Sequence, residues 1–212
     1  MNNKLLRYQN NKSFVFIDFE TLNLCLNFCH NLPWQVAMIK VKGNKIISSE
    51  DLLIKWDSNL KISEDAARIT RYSQEAVDEK GRPPQEVFET IKVWLDSADY
   101  IVGHNILGFD LYLIKEYYKQ YGLCYKHLTN KIIDTNAIAK GVKLNEKYNP
   151  DTSFLEYQFR LNNKRVKGVK TNLMALGKEF RIDHDYENLH NALVDLGLNI
   201  KVWNELKVIA DI

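Results

Sequence analysis

The strongest pattern in the chain is Ser13 to Thr21, where the apolar block Phe14-Val15-Phe16-Ile17 gives way to Asp18-Phe19-Glu20-Thr21. Aromatic and β-branched residues at this density predict a strand, whose side chains alternate between faces. Asp18 and Glu20 then point the same way from the strand's end, while Phe19 points back into the protein. A second apolar run, Trp34 to Ile39, follows Pro33. Gly43-Asn44 reads as a hairpin turn into Lys45-Ile46-Ile47 and the strand-like Leu52 to Trp56. The first third of the chain therefore predicts an antiparallel three-stranded meander.

Helical spacing starts at Ser63, with Glu64 and Asp65 in the first turn, breaks near Thr70 and resumes around Ser73. After a turn from Gly81, Pro84 opens a helix with Val87, Phe88, Ile91, Trp94 and Leu95 at helical intervals. Tyr100-Ile101-Val102 is a short strand leading through Gly103-His104-Asn105 into a helix from about Ile106 to Tyr121. Another strand follows at Lys131-Ile132-Ile133, and Asp134-Thr135 begins a helix through Ala139. Residues 143–170 are the least regular, with a stop at Asn149-Pro150-Asp151 and a helix over Ser153 to Arg160. Two helices close the pattern, Asn172 to Phe180 and Leu189 to about Val208. A meander followed by strand–helix–strand units predicts an α/β fold: a mixed five-stranded sheet, antiparallel and then parallel, flanked by helices.

The length, 212 residues with 45% hydrophobic content, suits one domain spanning 1–212. With 29 basic against 27 acidic residues, the net charge of +2 excludes a strongly basic nucleic-acid coat. Any binding of a polyanion must be local, through a basic rim around an acidic centre. No apolar run approaches the ~18 residues of a membrane span, and Met1-Asn2-Asn3-Lys4 does not open a signal peptide, so a soluble, intracellular (cytoplasmic) protein with no membrane partner is expected. Cys25, Cys29 and Cys124 are an odd set, which argues against a disulfide framework. Cys25-x-x-x-Cys29-His30 lacks a second half with zinc-ligand spacing, so free thiols are expected.

Two anions as close as Asp18 and Glu20 repel, and a divalent cation is the usual remedy, although Asp-x-Glu also occurs at ordinary solvated strand ends. Asp110 belongs to the helix after the fourth strand, in the turn that emerges with Asp18 and Glu20 at the carboxyl ends of the strands, where open α/β sheets place ligands. Asp195 lies in the last helix, five residues after His190. On a regular helix that spacing separates two side chains by roughly 140°, so His190 must come from the loop or first turn before the helix proper. Asn188 is the candidate cap, leaving His190 in a mobile first turn.

Together these segments resemble the DEDDh branch of the 3′–5′ exonucleases, which includes the proofreading epsilon subunit of bacterial DNA polymerase and oligoribonuclease. Asp18-Phe19-Glu20-Thr21 is similar to the first motif of that family, His104-Asn105-x-x-x-Phe109-Asp110 to the second, and His190-x-Ala192-x-x-Asp195 to the third. Ile69-Thr70, Val77, Gly81-x-Pro83 and Asp134-Thr135 add to a resemblance running from about Ser13 to Trp203. The chain departs from the family at Leu22-Asn23-Leu24, where a glycine is usual. Asn23 is expected to take the left-handed backbone in its place, with Leu24 matching the side chain that wedges beside the terminal base. The segment 143–170 looks like an insertion.

The resemblance implies an RNase H-like fold and phosphodiester hydrolysis with two divalent cations, Mg²⁺ or Mn²⁺, about 3.5–4 Å apart. It assigns the bridging position to Asp18, one ion to Glu20 and Asp195, the second to Asp110, and the general base to His190. Thr21, Leu24, His104, Asn105 and Phe109 would surround the terminal nucleotide, Phe109 being equally readable as core. Lys164, Arg165, Lys167 and Lys170 read either as a phosphate rim or as a solvated loop, and Tyr112, Tyr117, Tyr118 and Tyr121 as helix packing. The expected substrate is a single-stranded nucleic-acid 3′ end, DNA ahead of RNA, with room for a polymerase partner. The alternatives are an RNA-trimming or oligoribonuclease-type enzyme and a non-catalytic nucleic-acid or polymerase-binding module. The second predicts loss of a carboxylate, and all four are present.

Overall fold

The geometry of the meander is set at its turn. Gly43 and Asn44 both take left-handed backbone (φ 56° and 62°), the geometry of a tight hairpin whose twist matches its strands, and β2 (Pro33–Lys42) runs antiparallel to β3 (Lys45–Leu53). This computed structural model describes residues 5–23, 31–57 and 62–212. Leu24, Cys25, Cys29 and His30, singled out in the sequence, lie outside them.

β1 (Ser13–Thr21) pairs with β2 along its whole length but with the parallel strand β4 (Tyr100–Gly103) only over Phe14 to Phe16. β4 in turn pairs with β5 (Ile132–Asp134), giving the order β3-β2-β1-β4-β5. This is the mixed five-stranded α/β sheet expected, with β1 at its centre. Because β4 stops short, β1 runs on from Ile17 with one edge open.

Helices cover both faces, which is why β1 is apolar on both sides over its first half. Val15, Ile17 and Phe19 face a core closed by α3 (Pro84–Ser97) and α4 (Asp110–Gln120), through Phe88, Ile91, Leu95 and Ile114. Phe14 and Phe16 face a second core under α9 (Ala192–Ile209), through Leu196, Val202 and Trp203. By the two-residue alternation, Asp18 and Glu20 continue the Phe14–Phe16 row onto the α9 side.

The remaining helices are α1 (Glu64–Thr70), α2 (Gln74–Lys80), α5 (Lys126–Thr129), α6 (Thr135–Lys143), α7 (Phe154–Asn162) and α8 (Leu173–Glu179). Ser63, Ser73, Ser153 and Asn172 cap α1, α2, α7 and α8 with their side-chain oxygens. Two of the boundaries that differ from those the spacing predicts bear on the site. The helix expected from Ile106 begins only at Asp110, because residues 105–109 are held in a turn by a carboxylate described below. The last helix starts at Ala192 and is capped by Asn191, not Asn188. Among the described residues, no helix is long and apolar enough to cross a membrane.

Asp99, between α3 and β4, ties down the start of β1. It accepts from the Ser13 backbone N–H (2.9 Å), the Ser13 hydroxyl (3.0 Å) and the Lys12 ammonium (2.9 Å). Led by the Ser13 N–H, these bonds lower the Asp99 pKa to about 2. A depressed carboxylate pKa stabilises the fold above the unfolded value and loses that contribution as pH falls through the folded one. Asp99→Asn is therefore expected to cost ~1 kcal/mol at pH 7, a figure discounted for a side chain a third exposed. Urea midpoints should show the gap closing between about pH 4 and pH 2; a gap independent of pH would refute the charge account.

Candidate active site

The open end of β1 is the floor of the site. Asp18, Glu20 and Asp195 each offer a carboxylate oxygen, and the three oxygens lie within 4.8 Å of one another. Asp18 and Glu20 come from one face of β1, and Asp195 from the first turn of α9, packed on that face. The fourth carboxylate arrives from the other side of the sheet. Asp110, the first residue of α4, is buried, and its Oδ1 accepts the Phe19 backbone N–H (3.2 Å) on the strand edge that β4 leaves unpaired.

The electrostatics of this cluster are adverse in every direction. Burial first, then the charges of Asp110, Glu20 and Asp195, push the Asp18 pKa well above the usual carboxylate range. Burial with Asp195 and Asp110 raises Glu20 to about 8. Burial raises Asp110 to about 7 against the opposing backbone hydrogen bonds, and raises Asp195 against His190. Four acids that resist ionising beside one another fit a divalent cation, since hard oxygen donors around a shared positive charge remove the repulsion that raises them. Asp18, Glu20 and Asp195 would hold it, with Asp110 adjoining.

His190 stands at the rim. It is an exposed loop residue immediately before the cap of α9, with φ 70°, and its backbone N–H lies 3.3 Å from both Asp195 carboxylate oxygens. It lies before the helix and not in its first turn, in a loop that buried Leu189 packs down on one side. On the other, the Arg71 guanidinium, at the end of α1, donates to Asn188 Oδ1 (2.9 Å) and the Glu187 carbonyl (2.8 Å). Asn188, expected as the helix cap, instead bonds Asp185 (2.6 Å) and receives Arg71.

The residues expected around a terminal nucleotide are placed differently from one another. Thr21 is buried, and its hydroxyl donates to the Asn23 carbonyl (2.6 Å). Asn31 bonds both the N–H and the carbonyl of Asn23 (2.9 and 2.7 Å), closing the turn with side chains. Asn23 is not among the left-handed residues, so the conformational role expected of it is not used. Phe109 packs partly buried against the α3–α4 core. His104 points into a separate network: its Nδ1 lies 3.0 Å from Thr135 Oγ1, which donates to Asn199 Oδ1 (2.8 Å). Burial lowers the His104 pKa to about 4, leaving the ring neutral near pH 7.

The group that shapes the second motif is one the sequence marks only as the start of a helix. Asp134, fully buried at the end of β5, caps α6 through the Ala137 N–H (3.1 Å). The same carboxylate accepts the backbone N–H groups of Asn105 and Leu107 (both 3.1 Å). Asn105 is thereby fixed in left-handed backbone (φ 65°). Gly108 then passes so close that a Cβ there would meet Asn105 Oδ1 at 2.5 Å. Residues 105–109 fold as a turn, and α4 starts where Asp110 reaches β1. An acidic residue before a helical run is a cap signal; nothing in the spacing says that the same carboxylate also grips the preceding loop.

The exonuclease (RNase_T) family model matches residues 15–203. No curated protein matches the chain. Among solved structures, E. coli exonuclease I in complex with a dT13 oligonucleotide is 18% identical, with 93% of this chain and 41% of that one aligned at a TM-score of 0.71. An exonuclease I structure discussed for processivity is 20% identical, over 95% of this chain and 43% of that one, TM-score 0.71. Exonuclease I with the inhibitor BCBP is 17% identical over 95% and 43%, TM-score 0.73. At these identities the likeness is one of fold, and the chain spans only about two fifths of the exonuclease I chains it matches.

Proposed function

The chain belongs to the exonuclease (RNase_T) family, and from that premise we propose that it is a divalent-cation-dependent 3′–5′ exonuclease acting on single-stranded 3′ ends, DNA ahead of RNA. The observation that carries the reading is the meeting of Asp18, Glu20 and Asp195 within 4.8 Å, with buried Asp110 beside them. The oligonucleotide-bound exonuclease I fold supports single-stranded DNA as substrate.

Bound Mg²⁺ or Mn²⁺ would neutralise the carboxylates and stabilise charge developing on the phosphodiester oxygens. The remaining work falls to the chain. Asp18 and Glu20, on one strand face, and Asp195, on a docked helix, fix the cation-holding oxygens relative to each other. Asp110, held by the Phe19 N–H, keeps the open edge of β1 from drifting. His190, whose backbone N–H is tethered to Asp195, would take the proton of an attacking water as general base. Arg71 acts through His190 by holding residues 187 and 188, and is a positioning residue.

The direct test is incubation of 5′-labelled single-stranded DNA, RNA and a mismatched duplex with Mg²⁺ or Mn²⁺. A ladder of products shortened from the 3′ end, abolished by chelation, is expected. Cleavage that survives chelation, or internal cuts only, would refute the proposal. Arg71→Ala should lower kcat by about threefold to tenfold with little change in KM, since the lost hydrogen bonds hold the base and not the substrate. Lysine at the same position should restore only part of the rate, because an ammonium cannot make the forked contact. A change confined to KM would remove Arg71 from this role.

A further inference from the structure

Positive charge is unevenly distributed along the chain. Residues 140–170 carry eight Lys and Arg against three Asp and Glu, so this stretch alone exceeds the net charge of +2 of the whole sequence. Much of it borders one cleft of about 520 Å³ between α6 and the loop after α7. Lys140 of α6 and Leu144 at its C-terminal cap line one side, and Lys164, Arg165, Lys167 and Val169 of the loop the other. The lining contains no carboxylate. Glu146 pairs with Arg160 and with the cleft's own Lys164, which leaves Lys140, Arg165 and Lys167 as the cleft cations, and Lys143 is turned to Glu179 and the Lys170 carbonyl. Lys140 donates to the Asn162 carbonyl (2.9 Å), a neutral partner that leaves its charge uncompensated.

The cleft is tied to the second motif through α6, whose Thr135 Oγ1 lies 3.0 Å from His104 Nδ1 and whose Lys140 lines the cleft. Lys140 lies close enough to His104 for its charge to oppose protonation of that ring, and the backbone of Thr171, just past the loop, hydrogen-bonds to it. His104 itself follows directly on the end of β4, in the turn that delivers Asp110. We propose that this cleft binds the single-stranded nucleic acid upstream of the 3′ end held at Asp18, Glu20 and Asp195, its cations on the phosphates and its aliphatic floor against the bases. The inference rests on the exonuclease reading and extends it from the cut end to the strand behind it. Alternating cations and apolar side chains suit an unstacked single strand, which offers phosphates and base faces together; a duplex keeps its base faces stacked away. Val166, 44% exposed at the cleft, presents such an apolar surface.

The test is anisotropy of 5′-labelled 12-nucleotide and 3-nucleotide single-stranded DNA, with Ca²⁺ present and salt varied from about 50 to 200 mM. Arg165→Glu with Lys167→Glu is compared with the wild type and with Lys119→Glu plus Lys126→Glu, which changes the net charge equally at exposed positions outside the cleft. The cleft variant is expected to bind the 12-mer at least about tenfold more weakly, and its salt slope to fall by about 1.4, at ~0.7 per lost phosphate contact. The 3-mer should be affected less than the 12-mer. Equal losses in both double variants, an unchanged slope, or weakened binding to phosphatidylserine vesicles with oligonucleotide binding intact would overturn the proposal. Should the glutamate variant fail to fold, glutamines at the same two positions remove the charges more gently. Cleavage with Mg²⁺ reports separately on the parent reading. A 3′ ladder with unaltered binding overturns the cleft alone, and lost 12-mer binding in a protein that makes no ladder overturns the nuclease alone.

Discussion

Replacing Asp18 with asparagine is expected to abolish cleavage and, in the absence of cations, to make the protein more stable. Asp18 sits among Asp110, Glu20 and Asp195, and burial together with those three charges opposes its ionisation. A carboxylate whose folded pKa is raised gives stability that is complete below the unfolded pKa and is lost as pH rises through the folded one. With Glu20 raised to about 8 and Asp110 to about 7, the cation-free wild type should lose stability steadily from about pH 4 to pH 8. Asparagine removes one of the mutually repelling charges and should raise stability at pH 8 by ~1 kcal/mol, or ~2–4 °C in Tm. The same substitution takes an oxygen anion out of the cation-holding set, so turnover should fall by on the order of 10⁴ or more. Mg²⁺ should raise the Tm of the wild type and not of the variant. Activity within tenfold of wild type, or a lower Tm at pH 8 without cation, would contradict this account.

His190→Ala is expected to lower kcat by about 10²–10⁴, the usual weight of a positioned general base, while cation binding persists. The side chain is exposed, and its backbone N–H, which meets Asp195, survives the substitution. Oligonucleotide affinity and the Mg²⁺-induced rise in Tm should therefore stay close to wild type. Glutamine at 190 should be as slow as alanine, since an amide cannot take up a proton at neutral pH. A near-normal rate in either variant would leave the loop with a structural role only.

What could be read in the sequence was whatever repeats with a short period. The two-residue alternation from Phe14 to Glu20 fixes which side each carboxylate takes, and the structure has Phe14 and Phe16 under α9 and Phe19 on the opposite face. The hairpin at Gly43-Asn44 and the parallel step from β4 to β5 were equally local in origin. The start of α4 and the fixing of the His190 loop were not, because each depends on a partner distant in sequence. Asp134 grips Asn105 across 29 residues, and Arg71 reaches Asn188 across 117. Propensity alone extended the helix back to Ile106 and gave Asn188 a capping role, and tertiary hydrogen bonds overrode both. The left-handed backbone expected at Asn23 is absent as well, and Thr21 and Asn31 hold that residue with side-chain hydrogen bonds instead.

The four carboxylates are spread over the chain as widely as over the sheet, at positions 18, 20, 110 and 195, one from each covering layer and two from the strand between them. This spacing has a consequence for biosynthesis. A chain leaving the ribosome can complete the sheet once β5 has emerged, but Asp195 and His190 are added some sixty residues later, on a helix that must then dock over β1. The cluster is therefore incomplete until residue 195 has been made and closes only as the last helix folds down. A protein made alongside messenger RNA would in this way carry no working nuclease centre until its own message had been read through residue 195.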